Sequence, residues 1–215
     1  MHLSADEVKA EFLRSFPAGS GELAFELSND ITYLHLKWKL YRQLFGTSQE
    51  RFDLLFRTAP AFFVHLDRIM RHDVVLAITR LTDPSNTAGH ENLSLERLVV
   101  LLEPHIDASR LSDWRSALAI LNALAKPLRD ARNQFLAHRD LTTILSYQDQ
   151  TLPSRADMET LLRHIREVFG SIEENFRGSF TSYDLIDADG GDQLIASLER
   201  AQAHSDCERA EFKRR

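Results

Sequence analysis

Residues 129–140 read RDARNQFLAHRD and set Arg132, Asn133, His138, Arg139 and Asp140 among apolar neighbours. An arginine carries a permanent charge on a planar fork that matches phosphate or carboxylate oxygens. A histidine titrates near neutrality and can take or release a proton there. The stretch has helical period. With Leu128 at zero and about 100 degrees per residue, Leu121, Leu124, Leu128, Ala131 and Phe135 fall within about 60 degrees of zero, an inward stripe. Arg132 then lies near +40 degrees, Arg139 near +20 and His138 near −80. An inward arginine needs a partner or a solvent-filled groove, because burying it unpaired costs several kcal/mol. Two readings follow: a structural ion pair with Asp73, Asp83 or Asp140, or an anion site where Arg132 meets a phosphate. On a regular helix Arg132 and His138 stand roughly 9 Å and about 120 degrees apart, too far to act on one bond. Either the helix ends before His138, or a second copy supplies the partner, with two arginines and two histidines around one two-fold groove.

The elements that must position these residues are all helical; almost no segment alternates like a strand. Helices are expected over 5–16, stopping at Pro17-Ala18-Gly19, and over 21–45, with Gly46 as a C′ stop. TSQE, residues 47–50, reads as a capping box with Thr47 as N-cap and Glu50 reaching back, opening a helix to Thr58. Pro60 suits the first turn of a helix over 60–82, followed by a polar loop, DPSNTAGHEN. Ser94 caps a helix over 94–103; the next runs from about Leu111 to His138 and carries Pro127. A looser stretch, 140–153, precedes helices over 155–176, ending at Gly178, and 191–212. The expected fold class is all-α: an up-and-down bundle over 21–178 with helical extensions at 1–20 and 179–215.

The chain has 215 residues, 43% hydrophobic and 27% charged, enough for a sizeable core in a globular protein. Its longest apolar runs fall far short of the roughly 20 residues of a membrane span, and MHLSADEVKAEF has neither part of a secretion signal. Cys207 is alone, so no disulfide framework exists and a cytoplasmic location fits best. A net charge of −6 argues against a general nucleic-acid coat; arginines outnumber lysines 21 to 5, which fits either an arginine-lined local site or simply a GC-rich genome. Asp73, Arg80 and Asp83 share a helix face with Ile69 and Leu76; they read as a buried ion-pair cluster, or Arg80 reads as a second phosphate contact. No histidine spacing suits a metal, and no cofactor motif occurs. DADGGD, residues 187–192, fails as a calcium loop, with Asp192 and Leu198 where Gly and Glu are required.

Arg132, five residues, then His138, with polar Asn133 after the arginine, resembles the R-x(4–6)-H motif of the HEPN superfamily. DVVLAITRLTDPSNTAGHENLSLERLV, residues 73–99, is similar to the upstream segment of the abortive-infection AbiU-like branch, as are WKLYRQLFG and APAFF. The resemblance covers about residues 30–175. It implies a HEPN-like bundle and a metal-independent endoribonuclease without a cofactor, acting as a homodimer on RNA in phage defence or as a toxin with a possible antitoxin protein. The implied chemistry is attack of a ribose 2′-OH on the adjacent phosphorus. His138 would move the proton and Arg132 would stabilise the developing phosphate charge. Asn133 would orient His138 or bond the phosphate; Arg139, Asp140, Arg80 and Asp83 would support the site or bind RNA. Related toxins often carry a tyrosine shortly after the histidine; Leu141 stands here, which argues against control through that residue. The other function the resemblance allows is an inactive helical module that binds RNA or a protein partner.

Overall fold

A computed structural model of the protein describes residues 4–133, 154–183 and 190–214. Among them are eight α-helices: α1 (Ala5–Ser15), α2 (Gly21–Phe45), α3 (Gln49–Thr58), α4 (Pro60–Leu81), α5 (Leu95–Leu102), α6 (Ala108–Ala131), α7 (Arg155–Arg177) and α8 (Gly190–Arg214). A short 3-10 turn, Glu103–His105, follows α5. The all-α class is as expected.

Local chemistry sets the boundaries. Ser4 and Ser154 form capping boxes with Glu7 and Asp157, and Ser94 caps α5 by accepting from Arg97 N. Gly178 ends α7 in the left-handed region at φ 66, which a side chain would oppose. Three expectations need correction. The cap of α3 is Ser48, which accepts from Arg51 N at 3.3 Å, while Thr47 Oγ1 donates to Arg42 O at 2.9 Å. Two adjacent hydroxyl residues compete there, and the winner puts Arg51 rather than Glu50 at the third position, so no box forms. Gly46 follows the end of α2 but has no positive φ, so it is not a left-handed stop. Finally, α6 begins three residues earlier than expected, because Asp107 accepts from Arg110 N at 2.9 Å.

The polar loop after α4 also holds a small hairpin. Strands β1 (Asn86–Thr87) and β2 (His90–Glu91) pair antiparallel. Ala88 at φ 51 and Gly89 at φ 86 occupy the two turn positions, the mirror-image geometry that tight hairpins prefer. Asn92 Nδ2 donates to Pro84 O at 2.7 Å and Thr87 Oγ1 at 2.8 Å, closing the loop. Two-residue exposed strands leave no alternating pattern to read.

Contacts divide the chain into two units: residues 1–34 with 75–185, and residues 35–74 with 186–215. In the first, α6 packs on α5 and α7. It buries Trp114, Leu118, Leu121, Ala125 and Leu128; α7 buries Leu161, Ile165, Phe169 and Ile172 among others. Trp114 Nε1 donates to Ser171 Oγ at 3.0 Å, so the largest core ring keeps its polar atom bonded. In the second unit, Leu44, Leu54, Leu55, Phe63 and Ile195 form a core. Helix α8 is tied to it by Arg51 Nη1 donating to Asp192 Oδ1 at 2.5 Å and Gly191 N donating to Gln43 Oε1 at 3.2 Å. A Cβ on Gly191 would lie 2.7 Å from Gln43 Cβ, which cannot swing aside as the amide end can, so glycine permits the approach.

Tyr183 is buried in the first unit, and burial followed by the nearby Glu173 carboxylate pushes its phenol well above the usual tyrosine pKa. The unfolded chain releases this proton near pH 10 while the folded chain retains it, so stability contributed by the neutral phenol is present below pH 10 and falls as pH rises beyond it. Tyr183→Phe is expected to flatten the alkaline decline in urea-denaturation midpoints between about pH 9.5 and 11.5, a window set by the ordinary tyrosine pKa.

Candidate anion site at the ends of α4 and α6

The buried residues of α6, Trp114, Leu118, Leu121, Ala125 and Leu128, recur at spacings of four and three. Their mean direction lies near +40 degrees on the Leu128-based wheel, which is the azimuth of Arg132. Arg132 therefore continues the inward stripe at its next position. Leu124, expected inward, is 38% exposed, and Ala125 is fully buried in its place. The stripe is rotated toward the arginine because α6 must face both α5 and α7.

At Arg132 and Asn133 the backbone changes from α to π geometry. The 100-degree step does not hold through such a turn, so the regular-helix angle between Arg132 and His138 no longer applies. His138, Arg139 and Asp140 lie outside the described residues.

The carboxylate that meets Arg132 is Asp83, two residues past the end of α4. Arg132 Nη1 donates to Asp83 Oδ1 at 3.1 Å and Oδ2 at 3.0 Å, and the two side chains are 20% and 21% exposed. Arg132 Nε donates to Asn133 Oδ1 at 3.2 Å. Both bonds to Asp83 use one nitrogen, rather than the parallel fork of a bidentate pair. Nη2 has no hydrogen-bond partner among the described residues.

The expected cluster of Asp73, Arg80 and Asp83 does not form. Asp73 pairs with Lys37 at 2.8 Å, and Arg80 is exposed without a partner among the described residues. The reason is helical phase. Val74, Val75, Ile78, Thr79 and Leu81 are the buried stripe of this part of α4, and Asp73 and Arg80 lie on the opposite side, about 150 to 180 degrees from its centre. Ile69, expected on a packed face, is 63% exposed. Asp83 escapes this geometry because it lies beyond the helix end.

One arginine of RDARNQFLAHRD was not assigned a role from sequence. Arg129 Nη1 donates to Thr82 O at 3.0 Å, Thr82 Oγ1 at 3.1 Å and Asn122 Oδ1 at 3.4 Å, and Nη2 donates to Asn122 O at 2.6 Å. The available signal was its position three residues before Arg132 and seven after Asn122, all on neighbouring turns. Two guanidiniums thus meet the end of α4, one through carbonyl and hydroxyl oxygens and one through a carboxylate. Among the described residues, no cluster of three or more His, Cys, Asp or Glu could hold a metal ion, and no helix is long and apolar enough to cross a membrane.

An all-α chain whose motif arginine ends a long bundle helix is the arrangement of a HEPN-like protein. The model of the HEPN family AbiU2 matches residues 21–194, and the chain belongs to that family. The chain is also 26% identical over 212 residues to protein lin-25 of Caenorhabditis briggsae, an alignment covering 92% of this chain and 16% of that protein. The chain thus spans about one-sixth of that relative's length. No solved structure matches it.

Proposed function

We propose that the protein is a HEPN-type endoribonuclease whose active groove combines Arg132 of one copy with His138 of a second. The ribose 2′-OH attacks the adjacent phosphorus as its proton passes to a base, the phosphorus–O5′ bond breaks, and the 5′-oxygen takes up a proton. The products are a 2′,3′-cyclic phosphate and a 5′-OH. His138 serves proton transfer, and Arg132 stabilises charge on the phosphate oxygens. The observation that carries this reading is the attachment of Arg132: it is fixed on the inward stripe through Nη1 and Nε, with Nη2 uncommitted among the described residues. A preorganised cation with one open edge suits a phosphate oxygen.

A second copy is supported by the opposite shoulder of α6. Ile120, at 54% exposure, Leu124, Ala117 and Pro127 form an uncharged strip that a second copy could cover. Membership of the abortive-infection family supports a cytoplasmic role in growth arrest during phage defence or as a toxin, with an antitoxin protein as a further partner. Asp83 supports the other reading, a non-catalytic module: a carboxylate already offsets the charge on Arg132, so the pair can serve structure alone.

The two readings separate when purified wild-type protein, Arg132→Ala and His138→Ala are incubated with mixed RNAs in EDTA. The nuclease reading predicts cleavage by wild type, with cyclic-phosphate ends, and loss in both variants. Equal persistence of RNA with all three folded proteins would leave the binding-module reading.

A further inference from the structure

Arg129 spends its guanidinium on one peptide. Thr82 is 4% exposed, and its carbonyl lies just past the last turn of α4, where the helix supplies few donors. A buried carbonyl must be bonded, and Arg129 Nη1 reaches it at 3.0 Å while also bonding the Thr82 hydroxyl at 3.1 Å. That hydroxyl in turn donates to Ile78 O at 2.9 Å. The other end of the guanidinium is anchored on Asn122 O at 2.6 Å, seven residues back along α6. The Thr82 carbonyl belongs to the peptide unit whose nitrogen is that of Asp83, and Asp83 N–H bonds Arg80 O at 3.2 Å. The plane of that peptide sets where the Asp83 carboxylate stands, and the carboxylate sets where Arg132 points.

We infer that Arg129 is a positioning residue: it clamps the Thr82–Asp83 peptide to α6 so that Asp83 holds the Arg132 guanidinium in its working orientation. Its importance to RNA cleavage rests on the nuclease reading above; its control of Arg132 does not. Asn122 and Thr82 are the other members of the clamp. The arrangement explains why two arginines three residues apart on one helix tolerate each other. One is neutralised by a carboxylate and the other is met by carbonyl oxygens at the negative end of α4.

The test uses the full chain with Arg129→Gln and Arg129→Lys. The first readout is the Nε–Hε resonance of Arg132 in nitrogen–proton correlation spectra, assigned by its disappearance in Arg132→Lys. In wild type it is expected to be set apart by the bonds to Asp83 and Asn133. In Arg129→Gln, with the Asp83 contact released, it moves away from its wild-type position toward that of a free arginine, at unchanged overall fold. The second readout is RNA cleavage: Arg129→Gln lowers kcat about 10- to 100-fold, with KM changed less than about twofold. Placed in an Asp83→Asn background, the same substitution adds no further loss, because both changes break one linkage. Arg129→Lys keeps the charge but reaches only one of the two anchors, and it restores part of both signals.

An Arg132 resonance that stays in place in folded Arg129→Gln overturns the inference, as do losses from Arg129→Gln and Asp83→Asn that multiply. Should Arg129→Gln fail to fold, Arg129→Lys decides on the same resonance: a displaced Arg132 signal supports the clamp and an unmoved one overturns it. Should wild type leave RNA intact, the nuclease reading falls, while the Arg132 resonance still decides the role of Arg129.

Discussion

Arg132→Ala and His138→Ala are expected to abolish most RNA cleavage while leaving the bundle folded. Loss of a general acid or base costs about 10²- to 10⁴-fold, and loss of one preorganised charge-stabilising donor about 10²- to 10³-fold. The Arg132 variant carries a second expectation that separates chemistry from structure. Removing the guanidinium leaves Asp83 unpaired at 21% exposure, with partial access to water, so the cost in stability stays at about 1–3 kcal/mol. A kcat loss of the stated size beside a modest shift in unfolding midpoint is expected. A loss of activity that tracks unfolding across temperature would place Arg132 with the structural residues. Arg132→Lys is expected to recover only part of the rate, since a single ammonium cannot keep Asp83, Asn133 and a phosphate oxygen together.

Glu173→Ala is expected to be the most damaging single polar substitution described, lowering stability by about 3–5 kcal/mol. Glu173 is fully buried on α7. Its carboxylate pairs with Arg177, accepts from Thr181 N at 2.9 Å and accepts from Thr181 Oγ1 at 3.0 Å. Truncation strands a backbone N–H and half of a guanidinium that lies 4.2 Å above the Phe12 ring and also bonds Glu11 at 3.1 Å. Glu11 is 32% exposed, so Glu11→Ala is expected to cost no more than about 1 kcal/mol. Urea denaturation checks both: the Glu173 variant should shift the midpoint strongly at constant slope, and the Glu11 variant slightly. Equal costs would mean that α1 rather than the α7 carboxylate secures this corner.

Much of the fold was legible because helix ends announce themselves in side-chain chemistry. Ser94, Pro60 and Gly178 each satisfied a backbone requirement in the way their residue types suggest. Thr47 and Ser48 could not be told apart, since either hydroxyl can cap and only the turn after α2 chooses. The hairpin at Asn86–Glu91 was invisible because two-residue strands have no period.

The site was legible in part. The inward lean of Arg132 followed from spacing alone, and Asp83 was one of three carboxylates named for it. Which of the three would meet it depended on α4 packing its Val75–Ile78–Thr79 side inward and leaving Asp73 and Arg80 opposite. Leu124 was placed inward over Ala125 because the larger side chain dominates a hydrophobic pattern, whereas burial depends on direction. Arg129 escaped notice because its partners are main-chain and amide oxygens, which no sequence pattern of opposite charges reveals.

The central claim is that one active groove draws Arg132 and His138 from two copies, and subunit mixing tests it most directly. Arg132→Ala and His138→Ala proteins, each inactive alone, would be unfolded together, refolded and assayed on RNA in EDTA. A two-fold assembly gives heterodimers whose groove keeps one Arg132–His138 pair intact and lacks both groups of the other pair, so activity should return to about one-quarter of wild type. A mixture as inactive as its components, beside an active and dimeric wild type treated identically, would contradict the account and return both residues to a single chain.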